Sequence, residues 1–446
     1  MSATSQTLNK PSSTRKQTKE LFTMTWPMLI GVLSLMSFQL ADSIYIARLG
    51  IEPLAVIGFT IPIYQVIIGF QVGIGIATTA LISQLLGAKK DAEARDYGGT
   101  ILVFGTAIIG FLCLLLWVFR QHILLLLGGN EALNPLLSEL WSVWLISALT
   151  GAVLYFGYSI CRAHGNTLLP GAGMVLTSLL NIALDPLFIF YFDLGLVGAA
   201  YASLLSFLVG FAIVFPKVFA ADWISFQSTR SNITRQIKSI SSIATPAMLS
   251  QLMPSLSAMI ATSVVAQYGT EAVAAWGMGV RLEFFSIVFV LALTMSLPPM
   301  IGRYFGAREF LEIKQLVSVA VKIVLICQVS LAAVMAISAT YLSQFMSGDA
   351  GVSAILSDYL IIIPLSYAPL GICMLTVSIC NAIALPSRAL AISFLRLFAC
   401  YLPLLLLGAH YGELYGLMMG AAIGNIAAGI MAWRIYTHAI KKASTK

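Results

Sequence analysis

From Leu21 to Ala47 the chain runs 27 residues with one side chain that is normally ionised at neutral pH, Asp42. About 20 apolar residues carry a helix across a bilayer. Eleven further runs of that kind follow, near 54–86, 99–119, 136–161, 168–191, 195–217, 241–268, 272–301, 318–340, 356–383, 389–409 and 415–437. Only 10% of the 446 residues are charged and mean hydropathy is +0.92. A soluble domain carries about 25% charged residues, and a water-soluble protein of this size has no way to cover its surface with fewer than half of that. The fold class is therefore all-α and membrane-embedded, with twelve spans.

The net charge of +7 does not point to nucleic acid. The basic residues cluster in short segments between apolar runs, as on the cytoplasmic side of a membrane, and no basic patch is interleaved with stacking aromatics. With the N-terminus inside, only Arg48, Arg120 and Arg281 of the 25 basic residues fall outside. An odd number of spans breaks that alternation, so both termini are expected in the cytoplasm. Arg162 and Arg396 are counted here as ordinary inner-face charges.

Chemistry is sparse. The six cysteines lie in apolar runs without a CxxC pair, and the four histidines have no ligand spacing. There is no GxxxxGK[ST], so ATP is not the expected energy source, and no GxSxG or HExxH, so no enzyme is expected. The close glycines of "GFQVGIGIATTA" (69–80) follow no strand; they are read as helix-packing positions rather than a dinucleotide loop.

The two halves repeat. "PMLIGVLSLMSFQLADSIYIARLGIEPLAVIG" from Pro27 aligns without a gap on "PAMLSQLMPSLSAMIATSVVAQYGTEAVAAWG" from Pro246, 219 residues on. The same offset places Gly87-Ala88 on Gly306-Ala307, and "SICRA" (159–163) on "SICNA" (378–382). Six spans per half preserve orientation, so the halves are expected to be lobes related by a pseudo-two-fold axis along the membrane normal. The expected organisation is a tail at 1–20, a first lobe at 21–217, a cytoplasmic linker at 218–240, a second lobe at 241–438 and a tail at 439–446.

"ADSIYIARLGIEPLAVIG", "ALISQLLGAKK", "NIALDPLFIF", "GLVGAAYAS" and the second-half echo "GRYFGARE" occur in an order that resembles the multidrug and toxic compound extrusion (MATE) transporters, over about residues 20–438. The resemblance is to the bacterial and archaeal branch with an acidic site in the first lobe. It implies export of amphipathic, often cationic drugs in exchange for H⁺ or Na⁺, from the inner or plasma membrane, with no cofactor. The matching site positions are Asp42, Asn181, Asp185 and Ser203, where many members have threonine at the last. A second branch carries acids in spans seven and ten; the matching stretches here, "PAMLSQLMPSLSAMIA" and "PLSYAPLGICMLTVSICNA", contain none. The chain is expected to work as a monomer among membrane lipids. A flippase for lipid-linked precursors has a similar two-lobed shape, but it needs a strongly cationic cavity, for which few intramembrane Arg or Lys were counted.

Depth supports the site independently. A carboxylate inside a span costs about 2.5–3.5 kcal/mol on insertion scales, and such a group is a functional candidate by default. Asp42 lies six residues before Arg48, about 9 Å; Asp185 lies eight before Asp193 and Ser203 eight after Gly195, about 12 Å each. Asn181 sits one turn below Asp185 on the same face. Two carboxylates at one depth do not both ionise cheaply, so they are expected to titrate as a coupled pair or, both ionised, to hold Na⁺ with Asn181 and Ser203. Pro27 frees the Thr23 carbonyl and Pro186 that of Ile182, which makes both candidate bending points. Arg281 and Glu283, two apart in span eight, do not face each other and are expected to make structural pairs across the second lobe.

Overall fold

The computed structural model describes residues 14–126, 134–227 and 229–444. Part of each expected tail, including Lys10 and Lys446, lies outside the described residues. In lipid every backbone polar group needs an internal partner, and the described chain meets that need with helices alone. The first half contains α1 (Thr14–Ala47), α2 (Ile51–Gly87), α3 (Asp91–Val118), the short α4 (Arg120–Leu126), α5 (Asn134–Ala163), α6 (Leu168–Pro186) and α7 (Gly195–Ala220). The second contains α8 (Arg230–Val265), α9 (Thr270–Ser286), α10 (Val288–Gly306), α11 (Phe310–Met346), α12 (Ala350–Ile362), α13 (Tyr367–Ala382), α14 (Pro386–Phe394) and α15 (Leu402–Ser444).

Among the described residues eleven segments are long and apolar enough to cross a membrane, and the last of them, Pro386–His438, has 53 residues. Straight, it would reach about 80 Å, far more than the roughly 30 Å of hydrocarbon. It folds back at Gly412 and Glu413, where the backbone leaves the helical region (φ −141°, ψ 24° and φ 50°, ψ −139°). The segment is thus two spans, and the total is twelve, six in each of two lobes.

The repeat extends to backbone conformation. Gly50 and Gly269 open α2 and α9 with φ of 118° and 101°, a region that glycine enters without steric cost. Lys89 and Arg308 share φ near 60° (58° and 61°), and Gly165 and Ala384 also share positive φ. All three pairs are 219 apart, so the tight turns of one lobe recur in the other. The segment between the lobes is mostly helix: α7 runs to Ala220 and α8 starts at Arg230. Its non-helical part folds onto the start of α3, where Arg95 pairs with Asp222 and Trp223 stacks on His164 at 4.6 Å.

The lobes close on each other at the end where α2 and α10 finish. A Cβ on Gly87 would lie 2.0 Å from the Arg303 carbonyl oxygen, and one on Gly306 2.0 Å from that of Gln84. The "GA" pairs of the repeat are therefore each other's contact surface. Gln84 Nε2 donates to the Ala382 carbonyl (2.7 Å) and Thr25 Oγ1 meets Ser296 Oγ (2.8 Å), both across the lobes. Near the start of α2 and in α9, an added Cβ on Gly58 or Gly277 would meet nothing within 4 Å. The glycine-rich run at 69–80 does serve close packing: Gly73 lies against Met248 and Gly75 against Tyr155 and Ser159.

Candidate functional site

The four residues singled out in the first lobe come together. Small residues make this possible, because Gly171 of α6 leaves no room for a Cβ against the Pro27 carbonyl of α1 (2.4 Å), and Gly198 of α7 sits as tightly on Phe188 (2.7 Å). The rings of Tyr45 and Phe190 meet edge-on at 6.3 Å and fasten the upper part of α1 to the stretch after Asp185. Pro186 ends the regular part of α6, and Leu187–Tyr191 continues as a π-helix. Pro27 lies within an uninterrupted α1.

Asp185 is completely buried and Asn181 is 3% exposed. The Asn181 amide is satisfied in one orientation: its N–H donates to Asp185 Oδ2 (3.0 Å), and its oxygen accepts from the Ser203 N–H (3.2 Å) and Oγ (2.9 Å). Asparagine thus bridges α6 and α7 and holds one carboxylate oxygen in place. The other oxygen, Asp185 Oδ1, is buried without a hydrogen-bond partner, and so is Asp42 Oδ1. The charge of Asp42 reaches Asp185 and also Tyr64 of α2. No described Lys, Arg or His lies within salt-bridge distance of either acid. Buried, unpaired acceptors of this kind cost several kcal/mol if ionised and left alone. A proton or a small cation removes that cost.

Tyr64 was not identified from the sequence, since an aromatic in a span reads as packing. Its repeat counterpart, 219 residues on, is Glu283. Glu283 accepts a hydrogen bond from Tyr359 Oη (3.0 Å), and its charge is felt by Tyr367 and Tyr401 and answered by that of Arg396. The spans around it are broken: span eight at Ile287, span ten by a 3₁₀ turn at Ile363–Ser366, span eleven by a π-helix at Leu395–Tyr401. The structural pairing expected for Glu283 is made with a tyrosine; Arg281 is exposed and has no ion pair among the described residues.

Between the lobes lies a partly open cavity of about 230 Å³. Its lining includes Arg162 from α5 and Arg396 from the π-helical stretch, with no Asp or Glu. These two arginines, counted from the sequence among the inner-face charges, thus line the interlobe cavity. Both stand close to span ends, where a count by nearest boundary does not separate a loop residue from one that turns inward.

Comparison with known proteins agrees with this architecture. The MatE family profile matches residues 27–187 and 246–407, one stretch in each lobe. The structure superposes on the crystal structure of the Vibrio cholerae MATE transporter VcmN in its bent form with a TM-score of 0.95, at 52% identity over 97% of this chain and 99% of that one. Among curated relatives, a FAD transporter of Shewanella oneidensis is 31% identical over 93% of both chains. The multidrug export protein MepA of Staphylococcus aureus is 26% identical over 65% of both. With both lobes matched and the fold shared throughout, the chain belongs to the MatE family of membrane transporters.

Proposed function

We propose that the protein exports amphipathic organic compounds by antiport, in exchange for H⁺ or Na⁺ held at Asp42 and Asp185 with Asn181 and Ser203. The observation that carries this reading is the pair of carboxylates in the first lobe, Asp185 fully buried and Asp42 half-buried, each with a buried unpartnered oxygen and neither in an ion pair among the described residues. Family membership supports the transport class, and relatives named for multidrug export and FAD transport support organic cargo. With both termini cytoplasmic, the sealed Gly87 end faces inward, and the cavity opens outward.

In the cycle, cargo enters from the cytoplasm while the acids are ionised. A proton or Na⁺ from outside then neutralises the pocket, α1 shifts about Pro27 and the looser winding after Pro186 accommodates the change, and cargo leaves. Coupling of this kind acts in both directions and amounts to about 1–3 kcal/mol. No step makes or breaks a covalent bond in the cargo, so the protein works as a transporter, as a monomer in the lipid bilayer. A cationic cargo, which the family resemblance implies, finds its counter-charge only at the ion site itself and so competes there directly.

A flippase for lipid-linked precursors is not favoured, because the relatives matched are named for multidrug export and FAD transport; the cationic cavity that a flippase needs is represented by two arginines only. The decisive test is dye efflux from proteoliposomes under separately imposed proton and sodium gradients. Asp42→Asn should abolish gradient-driven efflux while the purified protein keeps its wild-type elution profile and melting temperature. Normal efflux by that variant refutes the mechanism.

A further inference from the structure

The interlobe cavity lies on the repeat. Its lining residues pair at the 219-residue offset: Val72 with Leu291, Ile76 with Met295, Tyr155 with Met374. Arg162 pairs in the same way with Asn381, the one position at which "SICRA" and "SICNA" differ. The cavity is therefore where two equivalent walls meet across the pseudo-two-fold axis, and one wall carries a cation where the other carries an amide.

Arg162 is only 3% exposed. Nη2 donates to Ser159 Oγ (2.8 Å), and the guanidinium stands 5.0 Å from the centre of the Tyr155 ring. Nη1 is buried without a hydrogen-bond acceptor. Among the described residues no carboxylate forms an ion pair with Arg162 or Arg396. Asn381 is also 3% exposed, and its Oδ1 is unpartnered. A guanidinium carries five donors in a fixed planar fork suited to carboxylate and phosphate. Burying one with an unused N–H and no counter-ion is costly unless something else supplies the anion. Tyr155, Met295, Met374 and Pro298 give the wall apolar faces, beside neutral polar groups such as Gln251 and Ser378.

We infer that the interlobe cavity binds the anionic group of its cargo, a carboxylate or phosphate carried on a flat apolar body, with Arg162 as the principal ligand and Arg396 as the second. This rests on the efflux reading above for its transport role, but binding at the cavity stands on its own. It also divides labour between the sites: negative cargo groups meet arginine on the axis, while the coupling cation meets carboxylates within the first lobe. Arg162 keeps its hydrogen bond to Ser159 throughout, so that its free Nη1 edge presents to the cargo.

The test uses two xanthene dyes with similar ring systems and opposite charge, fluorescein as the anion and rhodamine 6G as the cation. Fluorescence anisotropy with the purified full-length protein in detergent reads binding without transport. Wild type should bind fluorescein, and Arg162→Gln should weaken that binding by about tenfold or more while leaving rhodamine 6G unchanged or tighter. Because loss of a buried arginine can impair folding, Asn381→Asp is the companion variant: it keeps shape, places a negative charge opposite Arg162 and should likewise weaken fluorescein. Failure of the wild type to bind fluorescein, or equal fluorescein affinity in wild type and Asn381→Asp, overturns the inference. Gradient-driven, Asp42-dependent efflux of rhodamine 6G with no effect of either cavity variant on fluorescein would leave the antiport reading intact and remove only this one. Fluorescein bound through Arg162, with no dye moved under any gradient, would do the reverse.

Discussion

The two lobes place their ionisable groups at comparable sites and treat them in opposite ways. In the first lobe, Asp42 and Asp185 each keep a buried oxygen without a partner, and Asn181 steadies only one side of one of them. In the second lobe, Glu283 occupies the counterpart of Tyr64 and accepts a hydrogen bond from Tyr359. Gene-duplicated halves with one backbone plan thus hold one unsatisfied acidic pocket and one that is internally balanced. An unsatisfied acid responds to an ion; a balanced one holds helices together. The asymmetry, rather than the mere presence of acids in the membrane, is why we propose coupling in the first lobe.

Exchange of single acids breaks this comparison most directly. Asp185→Asn should eliminate gradient-driven efflux in proteoliposomes, whereas Glu283→Gln should keep it within about threefold of wild type. Equal loss in both variants would mean that the lobes share the coupling role. A smaller but still large effect is expected at the joint between lobes. Gly87→Val introduces a side chain where the Arg303 carbonyl oxygen already lies 2.0 Å from the Cβ position, so closure at that end is blocked. Efflux should fall about tenfold or more, since a shift of 1.4 kcal/mol between two conformations suffices for that factor. A cysteine replacing Thr79 on a cysteine-free background should become reactive to reagents added from the Gly87 side. Least in size is Tyr359→Phe, which removes one hydrogen bond to Glu283. It should cost about 1–2 kcal/mol of stability, visible as a lower melting temperature in detergent, with the ion dependence of efflux unchanged. A change in ion dependence instead would show that Glu283 titrates during the cycle.

Much of this was legible before the structure because the membrane imposes it. Apolar run lengths gave the spans, and an offset of 219 gave the two lobes, down to turns such as Lys89 and Arg308 whose backbones match. Asp42, Asn181, Asp185 and Ser203 were named by the family resemblance, and depth agreed with it because residues at the same height on adjacent helices are neighbours. What resisted was rotation about the helix axis. Arg162 and Arg396 lie near span ends, where a basic residue ordinarily faces water, and only packing turns them toward the axis. The "SICRA" and "SICNA" match held the clue, since an arginine substituted for asparagine at an otherwise repeated position asks for a local reason. Tyr359 was unreadable as the partner of Glu283, because contacts between spans eight and ten depend on rotation and on breaks, of which the one at Ile287 carries no proline or glycine signal.

The glycine contacts at Gly87 and Gly306 have a mechanical consequence. A latch built from backbone pressed on backbone, joined by the neutral hydrogen bonds of Gln84 and Thr25, has no salt bridge among the described residues to dissolve when it parts. Such a latch releases abruptly within a fraction of an ångström, since dispersion fades steeply with separation. The transporter's switch between states should accordingly be insensitive to ionic strength, leaving ions to govern it only through the pocket that binds them.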